Sequence, residues 1–512
     1  MKPTPACYYM LCVLILTASC APSPQAETAM FLGQGLMAGE VSSHSAILQA
    51  RLTAAPRITQ GDMPGARGML RFAYTPDSSF QRSIRHTPWL PAVDAYDFIA
   101  KTRITGLQPN RRYYYRAEYG PDSLPLYFSS IGSFSTLPGP QSTAPVSFVV
   151  VTGMNYYHFH FGKYDSTLQY RGPDKYLGYP ALESIERLKP QYFIGTGDNV
   201  YFDHPAEKNY QNALKNGKHP LPGYFDGKAV TTEAGMRRKY HLQFAQPRFR
   251  SLFRHTATYW EKDDHDYRIN DSDPYTDFPI SHELGIRNFR EQLPVVDPTD
   301  SAALTYRTHR MSRDLQIWLT EGRDYRSPND LPDGPEKSLW GTTQREWLKK
   351  SLLESTATFK VLISPTPLVG PDDAYKKDNH TNPEGFKYEG DQFFKWLKEN
   401  GFLQKNFYLI CGDRHWQYHA IHPLGFEEFS CGALVDANAR AGRLAGDARS
   451  TAPQGRIRQL YIQGTPEQAS GGFLKVDSRR VEGMPTLTFS FYDEKGNLLY
   501  QHQKSANMQT EE

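Results

Sequence analysis

The chain has 512 residues, 13% aromatic and 22% charged, with a formal net charge of +3. That length is enough for more than one domain and a sizeable core, and so balanced a charge supplies no bulk field that argues for a nucleic-acid partner. Of the five cysteines, Cys7, Cys12 and Cys20 fall at the N-terminus, which leaves Cys411 and Cys431 and excludes a disulfide framework.

Lys2 precedes an apolar run over residues 8–16 that ends in Thr17-Ala18-Ser19-Cys20. A charged start, a short apolar centre and small residues at the cut make an export signal, too short to span a bilayer. The small residues before Cys20 resemble a bacterial lipoprotein signal, in which that thiol is acylated. Thr17 stands where an aliphatic residue is usual, so ordinary secretion stays open. Residues 1–20 are thus read as the leader of an exported periplasmic or cell-envelope protein, with membrane contact only through the lipid. No later stretch is long and apolar enough to cross a membrane.

Residues 46–52 and 69–74 read as short strands between Pro- and Gly-rich turns. The turn at 104–110, the aromatic strand at 112–117 and the closing strand at 132–136 resemble a fibronectin-III-like sandwich, placed at 27–137. Residues 137–145 form a Pro/Gly/Ser linker. A strand at 146–151 then opens a second domain, 146–505. There a helix at 179–188 with a strand at 193–194, and a helix at 344–353 with a strand at 361–364, argue for a layered α/β core. Residues 201–235 are polar and read as an insertion near the site. Residues 487–493 and 496–501 alternate like a strand pair.

Three clusters in this second domain stand where strands should end: Gly197-Asp198-Asn199-Val200-Tyr201, Asp263-Asp264-His265-Asp266 and Gly412-Asp413-Arg414-His415. An apolar run followed by Gly-Asp reads as a buried strand ending in an exposed turn. In layered α/β folds such ends converge on one crevice. Carboxylates gathered there repel one another unless a cation lies between them, so the pattern predicts a metal centre with more than one ion. A lone Gly-Asp is as often a plain turn; three together are not.

The order Gly-Asp-x-x-Tyr, Asp-Asp-His-Asp-Tyr with Asn-Asp following, and Gly-Asp-x-His resembles the alkaline phosphatase D (PhoD-like) branch of the calcineurin-like metallophosphoesterases. Gly322-Arg323-Asp324-Tyr325-Arg326, the 343–348 and 359–364 segments and Phe429-Ser430-Cys431-Gly432 add to the likeness, which covers nearly the whole mature chain. It implies two sheets flanked by helices, with the N-terminal all-β sandwich attached. It also implies two or more metal ions, iron and calcium among the candidates, and a small-molecule or lipid phosphoester substrate. The ligand set implied is Asp198 bridging two ions, with Tyr201, Asp264, Asp413 and His415. His265 would steady or protonate the leaving oxygen. Arg323, or else Arg326, would fork onto phosphoryl oxygens. A hydroxide bridging the metals would attack phosphorus in line.

One departure stands out. Met154 occupies the place where relatives carry a metal-binding Cys or Asp, and a thioether suits hard cations poorly. Asn155 or Asp165 could supply an oxygen instead, and His158 and His160 are close. Asp378-Asn379-His380 could compensate for Ser364-Pro365-Thr366-Pro367, which lacks a ligand. A second reading is therefore a catalytically altered member that binds a phosphorylated ligand or a cell-surface partner. Cys411 and Cys431 read either as a disulfide or as two buried thiols.

Overall fold

The computed structural model describes residues 29–162, 169–204, 230–300 and 302–507. The leader with Cys20, Asp165 and residues 205–229 of the polar segment lie outside them. Strand Val146–Val151 shows how the layers arise. Phe148 and Val150 enter a cluster between two sheets, whereas Val149 and Val151 enter the cluster under the helices. A strand covered on both faces is a near-continuous apolar run, and Ser147 alone breaks this one.

Edge to edge, one nine-stranded sheet runs Leu498–Ser505, Met484–Asp493, Gly472–Val481, Val146–Val151, Tyr192–Thr196, Ala257–Glu261, Leu36–Gly39, Ser45–Arg51 and Ile99–Thr105. A seven-stranded sheet runs Arg307–Arg310, Leu315–Leu319, Phe359–Ser364, Phe407–Cys411, Glu427–Cys431, Gln417–Ile421 and Arg458–Ile462. The central strands of each are parallel, so their carboxyl ends share one rim. Helices Pro180–Leu188, Glu233–Phe244, Pro247–His255 and His282–Gln292 cover the outer face of the first sheet through Leu182, Tyr240, Phe253 and Phe289. Gly341–Glu354 and Lys387–Glu399 cover the second through Leu348, Leu352, Phe393 and Leu397. The helix at 179–188 and the strands at 146–151, 361–364 and 487–493 thus appear where expected, within a few residues.

The N-terminal part adds a third, six-stranded sheet that includes Gly68–Thr75, Arg112–Gly120 and Gly132–Ser135. Tyr113, Tyr115 and Phe134 from it share a core with Leu48, Ala50 and Leu52. The other layer of this sandwich is not separate. Its strand Leu36–Gly39 pairs in parallel with Ala257–Glu261 through Gly39 and Thr258, extending the nine-stranded sheet. Gly39 is needed there, because a Cβ would come 2.6 Å from a Pro294 ring carbon. Cys411 and Cys431 are buried free thiols.

Glu40 fixes this junction. Its carboxylate accepts 2.8 Å from Arg307 Nε and lies 3.2 Å from His309 Nε2. Burial alone would raise its pKa, but Arg307 and His309 outweigh that and hold it at about 2, against 4.5 ordinarily. A depressed carboxyl pKa stabilises the fold above the unfolded value and loses that contribution as pH falls through the folded one. The shift corresponds to about 3 kcal/mol. Glu40→Gln is expected to lose roughly that at neutral pH and to flatten the decline in urea midpoint between pH 4.5 and 2. An acid limb identical to the wild type's contradicts this.

Candidate active site

Glycine lets the strand ends meet. Gly197 has φ +80°, and a Cβ on it would lie 2.5 Å from that of Asp263. One on Gly412 would lie 2.4 Å from the Thr196 carbonyl oxygen and 2.8 Å from that of Pro365. Any larger residue would force the three loops apart. Asp198 and Asp413, which follow, sit at φ 54° and 56°, a left-handed region that Asp tolerates better than most residues.

Asp266 ties two of the loops together. Its buried carboxylate accepts from Asp263 N at 2.8 Å, Asp198 N at 3.3 Å and Asn199 Nδ2 at 2.5 Å. Burial raises its pKa to about 7, against these hydrogen bonds. Sequence reading placed Asp266 in the motif without this role.

Two adjoining groups of side chains result. In the first, Tyr201 donates its hydroxyl to Asp198 Oδ2 at 2.6 Å, and His415 Nε2 lies 3.0 Å from the same oxygen. Asn438 Nδ2 donates to the Tyr201 hydroxyl at 2.9 Å. Asp198, Asp264 and His265 each offer a ligand atom, all within 4.8 Å of one another. In the second, Asp264, Asp271 and Asp378 do the same. Lys376 Nζ stands among them, 2.9 Å from Asp271, 3.5 Å from Asp378 and 3.9 Å from Asp413. Asp264 belongs to both groups. Sequence reading therefore named residues that do converge, but it missed Asp203, Asn438 and Lys376. Asp203, two positions past Tyr201, was the one with a visible signal.

The electrostatics follow from burial. It raises the pKa of Asp198 well above the carboxylate range, with Asp264 and Asp263 adding repulsion against the pull of His265. Asp413 is likewise raised, despite Lys376. Asp264 goes the other way, to about 2, because His265 and Arg323 outweigh its burial. Burial would lower His265, yet Asp203, Asp264 and Asp198 raise it well above the imidazole range. Asp203 also holds its Nδ1 at 2.7 Å. Asp198 Oδ1 is buried and accepts no hydrogen bond. A buried carboxylate oxygen without a donor, beside other carboxylates and an imidazole, is what a hard cation fits.

Other expected residues are placed differently. Arg323 is fully buried, but its fork faces Asp263, with Nε to Oδ1 at 2.8 Å, and Nη1 bonds the Ser272 carbonyl at 2.8 Å. It lies 3.9 Å from Asp264 and Asp378, so it braces carboxylates. Arg326 bonds the Gly322 carbonyl at 2.6 Å. Asn155 uses its oxygen to cap helix Tyr156–Phe161, accepting from His158 N at 2.9 Å. Met154 is buried in the core under the helices, and its N–H donates to the Asp198 carbonyl at 3.0 Å. It supports the loop through its backbone. His158 Nδ1 meets Asn438 Oδ1 at 2.8 Å, and His380 pairs with Glu389 at 3.0 Å.

Comparison with known proteins bears on the family and the fold. Residues 19–138 match the N-terminal domain of PhoD-like phosphatases. Alkaline phosphatase D of Bacillus subtilis (strain 168) is 21% identical over 468 residues, covering 84% of this chain and 73% of that protein. A solved structure of PhoD superposes with a TM-score of 0.69 at 18% identity, over 95% of this chain and 90% of that one. Purple acid phosphatase PPD1 from yellow lupin (Lupinus luteus) seeds gives 0.56 at 12% identity, over 92% and 73%. These likenesses establish the layered metallophosphoesterase fold. The catalytic model of the PhoD-like phosphatases spans residues 148–467, more than half of the chain, so the protein belongs to that family and is a phosphoric ester hydrolase.

Proposed function

We propose that the protein is an exported, metal-dependent phosphatase or phosphodiesterase whose cations are held by Asp198, Tyr201, Asp264, Asp413 and His415. The observation that carries this is the convergence of three distant strand ends on a buried carboxylate cluster around Asp198. Two or more cations there, with iron and calcium as candidates, would make a water acidic enough to attack phosphorus and would offset the phosphoryl charge.

The chain's own residues do the rest. Asp203 holds Nδ1 of the His265 ring at 2.7 Å and so orients the imidazole to give a proton from Nε2 to the departing alkoxide. Arg323 keeps Asp263 and its neighbours in place. Lys376 adds a fixed positive charge beside Asp271, Asp378 and Asp413. No Gly-x-Ser-x-Gly elbow suggests a serine nucleophile instead.

His265→Gln tests this with a substrate panel. The expected loss in kcat/KM is about 10²–10⁴-fold for alkyl phosphoesters and much smaller for p-nitrophenyl esters, whose leaving group needs no proton. Equal losses on both remove His265 from the acid role.

Export with acylation at Cys20 completes the proposal. It rests on the leader sequence, and no described helix is long and apolar enough to cross a membrane. Mass spectrometry of the mature N-terminus should find Cys20 carrying lipid; an unmodified thiol there rules out the anchor.

A further inference from the structure

A second cluster of potential ligands lies where the two large sheets face each other. His419 on Gln417–Ile421 and Glu427 on Glu427–Cys431 come from the seven-stranded sheet. His502 comes from the edge strand Leu498–Ser505 of the nine-stranded one. Glu427 Oε2 is 3.0 Å from His419 Nε2 and 3.6 Å from His502 Nε2. One ligand atom from each residue lies within 4.8 Å of the other two. A tetrahedral zinc ion with bonds of about 2.0–2.1 Å separates its ligand atoms by about 3.3 Å, between the two distances observed.

We propose that His419, Glu427 and His502 form a structural zinc site that clips the edge hairpin of one sheet to the other, with water as the fourth ligand. The surroundings suit it. His502 Nε2 is buried and makes no hydrogen bond. His419 is fully buried, and its Nδ1 lies 3.0 Å from the Tyr500 hydroxyl, the outer contact that fixes the ring of a metal-binding histidine. Burial lowers the pKa of both imidazoles, that of His502 to about 4. Lys504 bonds the other carboxylate oxygen, Oε1, at 2.6 Å, leaving Oε2 to the histidines. Its ammonium competes with a cation for Glu427. The plain alternative is a hydrogen-bonded His–Glu–Lys group with no ion.

Zinc chloride titration of the full-length protein, followed by calorimetry and thermal melting, separates the two. Wild type is expected to take up one zinc equivalent more than His502→Gln, with zinc raising its Tm through that equivalent and phosphatase activity equal in both. Tyr500→Phe should weaken this equivalent by about tenfold, and Lys504→Met should tighten it. Equal zinc uptake in wild type and a folded His502→Gln overturns the proposal. Should His502→Gln not fold, unchanged zinc affinity in both Tyr500→Phe and Lys504→Met overturns it equally. Because these residues lie outside the proposed active site, failure here leaves the phosphatase reading untouched.

Discussion

Asp198→Ala is expected to lower kcat/KM by at least about 10³-fold, the loss of several kcal/mol of transition-state stabilisation supplied through bound cations. The fold should survive, since Asp198 is a carboxylate that burial and its neighbours already disfavour. Removing it relieves repulsion, and the Tyr201 hydroxyl and His415 Nε2 that it releases lie 3.3 Å apart, close enough to pair with each other. His415→Ala should behave alike, because its Nε2 shares the same Asp198 oxygen. Steady-state kinetics alongside circular dichroism check both. Activity within tenfold of wild type in either variant would contradict the assignment of the centre.

The largest effect on stability is expected from Arg323→Met. Its guanidinium is buried against Asp263, which is itself fully buried. Removing the cation leaves a charge with no partner, which costs about 3–5 kcal/mol. The double variant with Asp263→Asn should recover part of that loss, since the two residues act as one unit. Urea unfolding measures both. A loss below about 1 kcal/mol would mean that the pair contributes no more than a surface ion pair.

The parallel core was legible because its strands announce themselves. Val146–Val151 is apolar but for Ser147 and Phe407–Cys411 is an unbroken apolar run, with Gly412-Asp413 marking where the second stops. Helix Glu233–Phe244 was not, because polar residues are buried beside its apolar ones: Met236, Tyr240 and Phe244 enter the core, but Lys239, His241 and Gln243 are buried as well. Lys239 bonds the His204 carbonyl, His241 lies between Asp62 and Asp97, and Gln243 bonds the Asn199 carbonyl. Buried polar positions between the apolar ones blur the stripe by which such a helix is read. Nor could the sequence show that Gly39 pairs with Thr258, since a backbone contact between distant segments leaves no pattern.

In the site, residues on strand ends were readable and those arriving from irregular loops were not. Lys376 follows an exposed tyrosine, Tyr375, in a stretch without periodicity, yet it reaches three carboxylates. Asn438 comes from the short turn Asp436–Asn438 and bonds both Tyr201 and His158. Asn155 looked like a ligand because it neighbours Met154. Its oxygen is instead spent on a helix cap, the commonest use of an Asn just before a helix.

Metal analysis of the purified enzyme, paired with phosphoester turnover before and after chelation, bears most directly on the centre. At least two ions per chain are expected, with activity lost on chelation and regained when metal is returned. Undiminished turnover by protein shown to be free of metal would contradict the account.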